Sequence, residues 1–78
     1  MAYWIVNSSK TNTGRTTETV GFYTLHDARA HGTGKHGYII RYDTDRMGHA
    51  NIRLHEYFGG FEPTATESKR IKHILEDK

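Results

Sequence analysis

Apolar and polar residues alternate most clearly between positions 36 and 58. Tyr38, Ile40 and Tyr42 share one parity, while Ile39, Arg41 and Asp43 share the other. A polar break covers residues 44–50. Beyond it Ile52, Leu54 and Phe58 fall on one parity, with Glu56 interrupting, and Asn51, Arg53, His55 and Tyr57 fall on the other. Successive side chains of a strand point to opposite faces, so this period of two marks a half-buried strand. The break carries Asp and Gly, as a hairpin connection requires. The pattern predicts two antiparallel strands with one apolar face and one polar face, the latter holding Arg41, Arg53, His55 and Tyr57.

The rest of the chain covers this hairpin. Tyr3, Trp4, Ile5 and Val6 form an aromatic and β-branched run, a first strand. Residues 7–13 are polar, and Asn12, Thr13 and Gly14 supply a turn. Glu18, Val20 and Phe22 then share a parity within residues 16–23, a second strand that closes a first hairpin. The Thr24 hydroxyl can accept the amide hydrogen of Asp27, which starts a helix. Gly32 and Gly34 stop it by supplying the left-handed conformation. Two turns of helix are too short to be stable alone, so this one must dock on the sheet. Gly59 and Gly60 break the sheet, and Phe61 packs back on the core. Pro63 precedes a second capping box, Thr64-Ala65-Thr66-Glu67. Ile71, Ile74 and Leu75 then lie at helical spacing, predicting a terminal helix over residues 65–76.

The predicted order is ββαββα in a single domain, residues 1–78. The expected fold class is α+β: a two-layer sandwich, with a four-stranded antiparallel sheet and both helices on one face. The first helix serves as the crossover between hairpins. With 78 residues, roughly 60–65% of the unfolded surface can be buried. Only 35% of residues are apolar, so the core must lean on its aromatic rings.

Charge and chemistry narrow the function classes. There is no cysteine, hence no disulfide or thiolate site, which fits a cytoplasmic setting. No apolar run is long enough to span a membrane, and the first residues lack the pattern of a signal peptide, so no membrane partner is expected. A net charge of +2 argues against an acidic DNA mimic and permits a phosphate-bearing partner. The six histidines (His26, His31, His36, His49, His55 and His73) share no ligand-like spacing, so they are expected to bind no metal. The segment Gly32-Thr33-Gly34-Lys35-His36-Gly37 lies between a helix and a strand, and no Ser or Thr follows the lysine. It is not a P-loop, although glycine amides beside Lys35 can touch a phosphate or a carboxylate. Ser8, Ser9 and Ser68 have no evident base, and Asp43 and Asp45 read as turn chemistry. The expectation is a protein that is not an enzyme and uses no cofactor.

The polar face of the second hairpin is the surface that points to a partner. Arginine and tyrosine dominate protein–protein hot spots. Basic groups interleaved with an aromatic ring also serve single-strand binders. The expected contact residues are Arg41, Arg53, His55 and Tyr57, joined by Lys35. Lys69, Arg70, Lys72 and His73 are accounted for as cations that offset the negative end of the terminal helix.

Three segments carry a resemblance: Tyr3-Trp4-Ile5-Val6 as the opening strand, Thr24-Leu25-His26-Asp27-Ala28 opening a short helix, and Gly37-Tyr38-Ile39-Ile40-Arg41 as the returning strand. In this arrangement, over residues 3–57, the chain resembles the small phage-encoded ββαββ anti-CRISPR proteins that act on type I surveillance complexes. It departs from them in the helix after Pro63. The resemblance implies a non-enzymatic inhibitor that blocks a host protein or ribonucleoprotein complex by occupying a surface. The alternative is a stand-alone nucleic-acid-binding domain using the basic and aromatic sheet face.

Overall fold

A computed structural model describes residues 2–76. It contains β1 (Ala2–Ser9), β2 (Glu18–Phe22), α1 (Leu25–Gly32), β3 (His36–Thr44), β4 (Ala50–Phe58) and α2 (Ala65–Glu76). The class is α+β and the order is ββαββα, as the alternation predicts. The sheet runs β2-β1-β3-β4 with every neighbouring pair antiparallel. No helix among the described residues is long and apolar enough to cross a membrane.

β1 is longer than its apolar run. It extends through Asn7, Ser8 and Ser9, all of which are buried. The strand is paired on both sides, by β2 and β3, so its backbone groups are satisfied despite the polar side chains. The Asn7 carboxamide oxygen accepts a 2.5 Å hydrogen bond from the Thr19 hydroxyl across the ladder.

The two helices do not share a face. Tyr38, Ile39 and Ile40 are consecutive in β3 and all fully buried, and neighbours on a strand point opposite ways. Both sides of the sheet are therefore covered, which corrects the expected two-layer sandwich to three layers. Val6 and Ile39 pack with Ala28 and Leu25 of α1, joined by Trp4, Phe22 and Phe58. Tyr38 and Ile40 pack with Ile71, Ile74 and Leu75 of α2, joined by Ile5, Ile52, Leu54 and Phe61. The physical reason is area: neither short helix has the apolar surface to cover both parities of β3, and each parity needs cover. Gly32, the last residue of α1, lets the helix approach the sheet, since a Cβ there would stand 2.9 Å from the Phe58 ring.

The interruption at Glu56 has a structural cause. The β3–β4 register shifts between Ile39 and Ile40: Ile40 faces Leu54, whereas Ile39 faces Glu56. His55 is the extra residue of a β-bulge, and a bulge reverses the parity of everything beyond it. Ile52 and Leu54 lie on the α2 side, but Phe58 lies on the α1 side. Glu56 also faces α1, where its carboxylate takes three hydrogen bonds from Arg29, from Nε to both oxygens at 3.2 and 3.3 Å and from Nη2 at 2.7 Å. Those bonds hold the Glu56 carboxyl below its usual range.

α2 is fastened at its N-terminus. The Thr64 hydroxyl accepts the Glu67 amide at 3.3 Å, one half of the predicted capping box. The other half is replaced, because the Thr64 amide donates to the Gly14 carbonyl at 2.9 Å. The Glu67 carboxylate turns inward instead. It is buried, accepting from the Tyr38 hydroxyl at 3.0 Å and the Thr16 hydroxyl at 2.5 Å. Burial, with the Glu67 carboxylate next in effect, pushes the Tyr38 phenol well above its usual range.

Candidate interaction surface

Length determines what α1 leaves open. Its eight residues span roughly 12 Å, whereas the nine-residue strands β3 and β4 run about 30 Å. The helix covers the Val6–Ile39 region and stops short of the opposite end of that face. That end holds Arg41 and Arg53, and Trp4, half-buried against the α1-side core, lies beside them: Trp4 pairs with Arg41, and Arg41 pairs with Arg53. The bulge adds His55, whose ring meets the Trp4 indole nearly edge-on at 5.0 Å.

The electrostatics of this corner are unusual for a structural surface. Two arginines sit directly opposite each other on neighbouring strands, an arrangement of like charges that costs stability. Arg41 is partly compensated. Its guanidinium lies 5.6 Å from the centre of the Trp4 ring and its Nη2 is 3.3 Å from Asp43 Oδ2. Its Nε, however, is buried and meets no hydrogen-bond partner among the described residues. Arg53 is exposed, 3.4 Å from the Asn51 side-chain oxygen. His55 Nε2 stands 3.2 Å from Glu56 Oε1. Together these groups present donors and an indole edge without a covering element.

The other expected contact residues lie elsewhere. Tyr57 is past the bulge and faces α2, where its ring stacks on Phe61 at 6.1 Å and meets Tyr38 at 6.3 Å. The polar face of the hairpin therefore loses its predicted tyrosine to the parity reversal. Lys35 belongs to a separate cluster at the far end of α1. There His31 Nε2 donates to Glu18 Oε1 at 2.5 Å, and the Lys35 ammonium approaches the same oxygen at 3.4 Å. The His31 bond, more than the lysine, holds the Glu18 carboxyl below its usual range. Lys35 is thus engaged within the chain and not aligned with Arg41. Trp4 is the member of this corner that the hairpin pattern alone could not supply. It joins the arginines only because β1 lies next to β3, a strand order the alternation does not encode.

Asp45, a residue of the hairpin break, serves local structure. It caps the β3–β4 turn, its Oδ1 accepting from the Met47 and His49 amides at 2.9 Å each. Among the described residues, no three His, Asp or Glu side chains converge as metal ligands would. Comparison with known protein families, with characterised proteins and with solved structures finds no match to this chain.

Proposed function

We propose that this chain is a non-enzymatic binding protein whose working surface is the open corner formed by Trp4, Arg41, Arg53 and His55. The observation that carries the reading is the Arg41–Arg53 pair, two like charges held side by side where no helix covers them. Such a pair is costly in isolation and becomes favourable when an anionic group bridges it, through charge-assisted bonds to both guanidiniums. The partner is an acidic protein surface. Arginine and tryptophan together are the residue types that concentrate binding energy at protein interfaces. Within this reading the chain acts as the small phage-encoded anti-CRISPR proteins do, in the cytoplasm of a host cell, by occupying a subunit of a nucleic-acid-handling defence complex. A single-strand binder needs free ring faces for stacking. With Tyr57 turned to α2, the corner offers one indole, already in contact with Arg41 and His55.

The test is a pull-down from nuclease-treated bacterial lysate with the wild-type chain and with Arg41→Glu, Arg53→Glu. The double variant should lose its specific partner, weakening binding at least about tenfold, since charge-assisted bonds contribute about 1.5–3 kcal/mol each. Its melting temperature should stay close to the parent's, and Lys69→Glu, Lys72→Glu on α2 should bind normally. Capture that disappears on nuclease treatment, together with oligonucleotide binding that weakens steeply with salt, would instead assign the surface to nucleic acid.

A further inference from the structure

The two edges of the sheet are built differently. β4 carries Arg53, His55 and a bulge, which are devices that discourage pairing with another strand. β2 has none of these. Its sequence, Glu-Thr-Val-Gly-Phe, contains no lysine, arginine or proline, and it pairs with β1 without a register shift. Its outer side meets no other strand among the described residues. Its one charge, Glu18, is held by His31 and Lys35. Tyr23, which follows it, is 78% exposed and borders a groove of about 390 Å³ lined by Tyr3, Gly21 and Phe22.

We propose that β2 pairs antiparallel with β2 of a second copy of this chain, about a two-fold axis at Gly21. The occupant follows from the strand's own pattern, which is complementary to itself. In this register Val20 stands opposite Phe22 of the second copy on the α1 side, an apolar pair. On the α2 side Tyr23 stands opposite Thr19 of the second copy, flanking the two glycines. A Cβ at Gly21 would meet nothing within 4 Å, so the space beside it is free to take the incoming Tyr23 ring. Glu18 stands opposite Thr24, so no like charges face each other. Closed two-fold pairing is also the commonest symmetry of soluble oligomers. Because β2 has five residues, the association is weak, appearing between micromolar and millimolar concentration. The axis runs perpendicular to the sheet, so the α1 sides of both copies look the same way. The two β3 strands then lie five interstrand spacings apart, roughly 24 Å in a flat sheet. The pairing does not depend on what the arginine corner binds.

Sedimentation velocity across that concentration range tests it. The wild type should shift toward twice the monomer mass, with amide signals of residues 18–22 moving as concentration rises. Gly21→Lys puts an ammonium into the middle of the edge, where space is open, and should weaken dimerisation at least tenfold while keeping a dispersed amide spectrum. Tyr23→Glu, at an exposed site, should weaken it likewise and decides the matter should Gly21→Lys not fold. A wild type that stays monomeric to near-millimolar concentration overturns the proposal. So does a dimer that survives the folded edge variants.

Discussion

Tyr38 joins the two ends of the chain through one hydroxyl. Its ring is fully buried and its OH donates to Glu67, which also holds Thr16. Replacing it with phenylalanine removes one bond to a buried carboxylate, a loss of about 1–3 kcal/mol. At this chain length each kcal/mol corresponds to a fall of roughly 4–8 °C in Tm. The variant has a second signature. The folded phenol titrates above the free tyrosine, so its contribution to stability is complete below about pH 10 and is lost as pH rises beyond it. Thermal melts from pH 8 to 11 should therefore show the parent declining more steeply than Tyr38→Phe above pH 10. Parallel curves in that range would mean that the phenol is not shielded as described.

At the scale of elements, α2 is held as much by a loop as by the sheet. Gly14 has φ of +78°, and its carbonyl takes the Thr64 amide at the start of the helix. A Cβ at that position would lie 2.6 Å from the Glu62 carbonyl oxygen and 3.0 Å from a Thr64 methyl. Gly14→Ala thus meets both a left-handed backbone and a clash, with a cost of about 1–3 kcal/mol. The damage should be local: amide exchange in α2 should accelerate far more than exchange in α1. Uniform acceleration across both helices would show that the clasp is not the anchor of α2. The sequence marked Gly14 only as a turn residue, because its contact with residue 64 is a tertiary fact that local pattern does not carry.

For the whole molecule, the alternation of apolar positions was enough to order six elements and to place Ile40, Leu54 and Ile71 in one packed region. The number of layers was legible too, but in a different signal. Gly37-Tyr38-Ile39-Ile40 and Tyr3-Trp4-Ile5-Val6 are nearly continuous apolar runs, and such runs belong to strands covered on both faces. Reading the first of these runs as alternating hid the second covered face. The candidate surface was half legible. Arg41, Arg53 and His55 do share a side, because Arg41 and Arg53 pair directly and the bulge turns His55 toward them. Tyr57 was lost to the same bulge, whose sequence trace was a glutamate on an otherwise apolar parity. Trp4 required the strand order β1-β3, which depends on how the two hairpins dock.

The bulge also makes β4 unusual in which single-codon deletions it tolerates. With His55 removed, Leu54 still meets Ile40, Glu56 still meets Ile39 and Tyr57 still meets Tyr38, now in an unbroken ladder. Losing Arg53 instead would force Leu54 toward α1 and His55 into the α2 core. The His55 deletion should therefore keep a cooperative melt within a few degrees of the parent, while the Arg53 deletion unfolds the protein. A His55 deletion that cannot fold would show that the strand needs its bend. If it folds, the reading frame of the fold contains one residue that the architecture does not require.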